Sequence, residues 1–228
     1  MGNKVIWQPQ PRQAALMRRW EPEALYGGAA GGGKSDCALA EALRQVEIPH
    51  YRGLILRKTF PQLSELIDRS TELYLSAFRG AKYNESKHVW TFPSGAKIYF
   101  GSMQHSRDRT NYQGKRYDFI DFDELTQFTF DEYSYLFSRN RPNGPGTRCY
   151  MRAQANPGGI GHGWVKERFI TPAPPMTKAP PKNSIFDIIN FKNMSADSDR
   201  TLLAGLMLLL GGEMADEKLM LALLYIML

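Results

Sequence analysis

Apolar residues in this chain fall into short dense runs separated by stretches of helical spacing. Residues 5–20 predict an extended entry, two prolines and a short helix, and Leu25-Tyr26 forms a strand stub. From Ser35 the apolar set Cys37, Ala38, Leu39, Ala42, Leu43 and Val46 predicts a helix to about Glu47, stopped by Pro49. Residues 53–58, Gly-Leu-Ile-Leu-Arg-Lys, read as a strand buried in a parallel sheet. Pro61 opens a helix whose apolar face is Leu63, Leu66, Ile67, Leu73 and Leu75. Residues 89–92 and 97–100 flank Pro93-Ser94-Gly95 and predict a hairpin, whereas 107–114 is polar and predicts a loop. Residues 117–122 form a core strand ending in Asp123-Glu124, with a helix following through Phe137. After a turn-rich stretch at 139–146, residues 148–154 make one more strand, closing at Ala155-Asn156-Pro157-Gly158-Gly159. Strands alternating with helices predict an α/β fold with a mainly parallel sheet flanked by helices.

The pattern changes at Thr171. Residues 171–183 hold five prolines and read as a semi-rigid linker. Residues 184–228 read as a helical tail, with leucine-rich segments at 202–210 and 219–228 split by Gly211-Gly212. The expected organisation is a domain at 1–170, the linker, then the tail. The composition, 43% hydrophobic and 23% charged, excludes wholesale disorder. The net charge of +6 suits an acidic partner without selecting one. Two isolated cysteines, Cys37 and Cys149, make neither a disulfide framework nor a zinc site and suit a reducing compartment. His50, His88, His105 and His162 lack metal-ligand spacing. No signal peptide opens the chain and no apolar run spans a bilayer, so a cytoplasmic protein without membrane contact is expected.

The chemistry centres on Gly28-Ala29-Ala30-Gly31-Gly32-Gly33-Lys34-Ser35, which fits the phosphate-binding loop Gly-x-x-x-x-Gly-Lys-Ser/Thr at every position. Glycines let successive backbone N–H groups face one anion, and the following helix adds the positive end of its dipole. Lys34 is expected on the β- and γ-phosphates of ATP and the Ser35 hydroxyl on Mg²⁺. Asp123-Glu124 ends an apolar strand, where α/β folds place ligand chemistry. Asp123 is expected to hold Mg²⁺ beside Ser35, and Glu124 to orient and deprotonate water. An acidic helix start is the alternative reading of the same pair.

Five segments occur in order: Gly27 through Ser35, Gly53-Leu-Ile-Leu-Arg-Lys-Thr-Phe-Pro-Gln-Leu63, Tyr112-Gln-Gly114, Tyr117-Asp-Phe-Ile-Asp-Phe-Asp-Glu-Leu125 and Ala155-Asn-Pro-Gly-Gly159. Together they resemble the ATPase domain of the large terminase subunit of tailed bacteriophages and prophages, over about residues 6–170. The resemblance implies an additional-strand P-loop NTPase that uses ATP and Mg²⁺ to move viral double-stranded DNA into a procapsid. It implies a homo-oligomeric ring working with a portal protein and a small terminase subunit. It also implies that Gln13 reads the adenine edge, with Gln10 second. Arg57 lies near an arginine that the family associates with nucleotide sensing or hydrolysis, though it equally fits a basic strand end. Asn156 resembles the polar residue of the family's coupling motif; an Asn-Pro turn is the alternative. Arg139, Arg141, Arg148, Arg152, Lys166 and Arg168 are candidates for DNA phosphate contacts. The family usually continues into a nuclease, but nothing after Asn183 supplies its acidic constellation, so no nuclease activity is expected here. The tail does not resemble the family. A non-hydrolysing or truncated assembly module, or another P-loop translocase such as a helicase, are the rival readings.

Overall fold

The apolar run at 53–56 becomes the heart of β2 (Arg52–Arg57), a strand with hydrogen-bonded neighbours on both edges. Parallel β5 (Lys97–Ser102) pairs on one side, Leu54 opposite Tyr99. Parallel β6 (Phe119–Phe122) pairs on the other, Leu54 opposite Ile120. The computed structural model describes residues 5–28 and 31–172. The expected helical tail, and the linker apart from Thr171 and Pro172, lie outside the described residues.

Beyond β6 lies β7 (Tyr150–Ala155), and beyond that β1 (Glu23–Gly27), both parallel to their neighbours. At the opposite margin β4 (Val89–Thr91) runs antiparallel to β5, and β3 (Lys82–Asn84) antiparallel to β4. The order is β1-β7-β6-β2-β5-β4-β3, so β7, last in the chain, is inserted between the strand that leads into the phosphate loop and the strand that leads to Asp123. This is the additional-strand arrangement of P-loop NTPases.

Side chains alternate across the strands and feed two cores. Ile55 and Phe119 face Leu39, Leu63, Leu66 and Trp90, beneath helices α2 (Lys34–Ala42) and α3 (Phe60–Ala77). Leu54, Leu56, Ile120 and Phe122 face Phe128, Tyr133 and Val165 on the other side, beneath α4 (Phe130–Tyr135) and α5 (His162–Val165). The entry helix α1 (Pro11–Met17) begins on a proline, whose fixed φ suits a first turn.

Three local readings change. The α3 face contains Ser70 and Tyr74 in place of Leu75, which is exposed. Ser70 belongs there because its Oγ accepts the buried Trp90 Nε1–H at 2.9 Å. The polar stretch read as a loop holds a 3-10 helix, Ser106–Tyr112, pinned where the Tyr112 hydroxyl donates to Ser102 O at 2.9 Å. Helical residues 162–170, ending in a π-helical turn at Lys166–Ile170, and the short strand β3 have no counterpart in the sequence reading. Both are too short for periodicity to register.

Candidate functional site

Residues from β1, α1 and α2 shape the phosphate loop. The Gly28 N–H donates to Ala155 O at 3.2 Å, tying the loop to β7 as it leaves the sheet. Gly33 sits at φ 64°, and a Cβ there would lie 2.6 Å from Gln13 Nε2. Only glycine fits that turn. Three side chains close on the loop's own carbonyls: Lys34 Nζ on Gly28 O at 3.2 Å, Tyr26 Oη on Gly32 O at 3.1 Å and Gln13 Nε2 on Gly33 O at 2.7 Å. Ala29 and Ala30 lie outside the described residues.

Ser35 lies in the first turn of α2, and its Oγ donates to Asp123 Oδ2 at 3.2 Å. Asp123 follows β6 and is only 1% exposed. Arg57, at the end of β2, reaches the same Oδ2 with Nε at 2.8 Å and Nη2 at 2.6 Å. Its Nη1 donates to Gln62 O at 3.0 Å. Glu124 adopts φ 60°, ψ 53°, a left-handed conformation that ordinary residues enter only under constraint. Asn156, just past β7, donates from Nδ2 to Glu124 Oε1 at 2.8 Å. Strand adjacency explains the convergence: the carboxyl ends of β1, β7, β6 and β2 lie side by side.

Beneath the loop, on the α2 face, the sheet is polar. Asp121 and Gln154 are buried, with Gln154 Nε2 donating to Asp121 Oδ1 at 2.9 Å. Burial, followed by the charges of Glu41 and Asp121, pushes the Cys37 thiol up to about 12. Cys37 is therefore an inert core residue.

The structure thus gathers Ser35, Arg57 and Asp123 in one contact set and Glu124 with Asn156 in a second. Gln13 is 2% exposed with its amide engaged at both ends, since Oε1 also accepts Gln10 N–H at 2.7 Å. The Gln10 side chain is exposed and faces the Gln13 backbone N–H in a reciprocal cap at the start of α1.

A family model described as the N-terminal part of the terminase large subunit, T4-like virus type, matches residues 25–156. The chain belongs to this terminase family. The terminase fold is also what the solved structures share. The ATPase domain of the Thermus phage P74-26 large terminase is 18% identical, with a TM-score of 0.55, over 72% of this chain and 70% of that one. The large terminase of a thermophilic bacteriophage is 17% identical, TM-score 0.58, over 71% of this chain and 42% of that one. That of bacteriophage HK97 is 11% identical, TM-score 0.55, over 71% and 36%. The match therefore spans less than half of those two terminases. No curated protein matches the chain.

Two of the six basic candidates for DNA contact in this terminase domain, Arg141 and Lys166, are exposed. Arg152 is not available: it is 1% exposed, lies 3.9 Å from Glu41 and donates to the carbonyls of Arg19 and Glu21. On β7 it alternates with Met151 and Ala153, which feed the opposite core, so it points to the α2 face and Glu41. Arg168 is bound to Glu23 at 2.6 Å, Arg148 stacks on Trp20, and Arg139 stacks on Tyr135. No described helix is long and apolar enough to cross a membrane.

Proposed function

We propose that this chain is the ATP-hydrolysing motor domain of a phage large terminase, acting in the host cytoplasm to drive double-stranded DNA into a procapsid. One observation carries the reading: Ser35, which ends the phosphate loop, meets Asp123 at 3.2 Å across 88 residues of sequence, with Glu124 adjacent. In this proposal the loop N–H groups and Lys34 bind the β- and γ-phosphates, Lys34 giving up its bond to Gly28 O. The donor set of one hydroxyl and one carboxylate suits a hard cation that keeps several waters and phosphate oxygens. Ser35 and Asp123 would hold Mg²⁺, whose charge offsets that developing on the phosphates. Glu124 orients a water and takes its proton, and Asn156 fixes the carboxylate that does so. Arg57 would serve the γ-phosphate after leaving Asp123. Gln13, or the more exposed Gln10, meets the adenine edge.

Family membership supports double-stranded DNA, a portal protein, a small terminase subunit and further copies of this chain as partners. Arg141 and Lys166 offer exposed charge for the DNA. The test is Mg²⁺-dependent ATP hydrolysis by the full chain, with and without duplex DNA, against Lys34→Ala and Glu124→Gln. Turnover is expected to vanish with Lys34→Ala. Glu124→Gln should bind ATP and hydrolyse it on the order of 10²–10⁴-fold more slowly. Parent-like turnover by Glu124→Gln would reject that residue as the base. Nucleotide binding without turnover in the parent would favour the non-hydrolysing assembly module.

A further inference from the structure

A carboxylate as deeply buried as Asp123 needs a positive charge beside it. Arg57 provides that charge. Its Nε and Nη2 both close on Oδ2, the oxygen that also accepts from Ser35. A cation seated between Ser35 and Asp123 needs the same oxygen. Two positive centres within a few ångströms of each other in a poorly screened site repel strongly. Arg57 has somewhere to remain when it lets go, because Nη1 is held by Gln62 O at 3.0 Å on α3. Gln62 in turn donates from Nε2 to Gln127 Oε1 at 3.2 Å, three residues past Glu124.

We propose that Arg57 is the resident counter-cation of Asp123 and competes with the divalent cation for that carboxylate, so that the site fills by exchange of one cation for another. The inference rests on the nucleotide-site reading above. Arg57 is in this respect a positioning residue: it holds the Asp123 carboxylate turned toward Ser35 beforehand. The consequence runs opposite to that of an arginine serving phosphate alone. Removing the guanidinium strengthens metal binding, because the competitor and its repulsion are both gone.

The experiment uses the full chain and Mn²⁺ as probe, with free Mn²⁺ followed by electron paramagnetic resonance, without nucleotide and with saturating ADP. Arg57→Gln is expected to bind Mn²⁺ about tenfold more tightly than the parent in both conditions. Ser35→Ala and Asp123→Asn should bind it more weakly. Unchanged or weakened binding by Arg57→Gln, with a parent-like circular dichroism spectrum and melting curve, overturns the competition. If Arg57→Gln does not fold, Arg57→Met makes the same neutral replacement and must show the same tightening. A failure of the broader reading looks different: the parent then ignores a fluorescent ATP analogue, and Mn²⁺ binding is indifferent to Asp123→Asn, which overturns both.

Discussion

The Asn156 amide donates to Glu124 Oε1 at 2.8 Å, joining the residues that leave the neighbouring strands β7 and β6. The bond is braced on its other side, because Thr126 Oγ1 donates to Asn156 O at 3.0 Å. Glu124 thus has a left-handed backbone and a tethered side chain. A general base must be held within reach of its water.

Asn156→Ala should therefore lower kcat for ATP by about 10–100-fold and leave KM within about twofold, since no phosphate contact is lost. Asn156→Gln should recover part of the loss by offering the same donor. Steady-state kinetics of the three proteins checks this; an unchanged kcat in Asn156→Ala would remove the tether from the mechanism.

Gln13 braces the loop from α1 through bonds to Gly33 O and from Gln10 N–H. Gln13→Ala should cost about 1–2 kcal/mol of stability in urea unfolding, for two lost bonds in a buried place. It should also weaken ATP and GTP alike, because the turn that presents the N–H groups loosens. A loss confined to ATP would instead show that the amide abandons Gly33 for the base.

Lys58, next to Arg57, grips Glu132 of α4 at 2.8 Å through both carboxylate oxygens, while Ser106 and Thr129 N–H complete the carboxylate's bonds. Glu132 is 1% exposed. Lys58→Met alone should destabilise the fold by about 3–5 kcal/mol, because it strands a buried charge. Adding Glu132→Gln should return more than 1 kcal/mol of that loss. Additive effects in urea titrations would show the pair to be uncoupled.

Asp121 lies in the sheet with Oδ2 unpartnered, beside a Gln154 Oε1 that is also unpartnered. Burial, with the hydrogen bond from Gln154 opposing and the charges of Asp123 and Glu41 adding, holds its acid well above the ordinary carboxylate range. The folded chain then keeps a proton that the unfolded chain has lost above about pH 4. The resulting stabilisation is complete below the unfolded value and disappears as pH rises through the folded one. Asp121→Asn imitates the protonated acid and has an N–H for Gln154 Oε1. It should equal the parent near pH 4 and exceed it by about 1–2 kcal/mol at pH 8, read from urea midpoints. A less stable variant at pH 8 would mean that the carboxylate is ionised and needed.

Sequence spacing alone located β2, β6 and β7, because dense apolar runs are local signals. Sheet order is not local. That β7 enters between β1 and β6 depends on pairings such as Leu25 with Ala153, to which periodicity is blind. The family resemblance suggested Arg57 for the site, with a basic strand end as the alternative, yet only the fold reveals that it faces Asp123. Arg152 reads as one more surface cation until the fold sets its face of β7 against Glu41 of α2. Lys58 and Glu132, 74 residues apart, carry no motif at all.

The insertion of β7 also has a consequence in time. Glu23 pairs with Met151 and Gly27 with Ala155, so β1 finds its only described strand partner after nearly all of the domain has been made. At about 5–20 residues per second, β1 waits roughly 6–25 s after synthesis. During that interval the loop after β1 lacks β7 and the bond from Gly28 N–H to Ala155 O that ties it to the sheet.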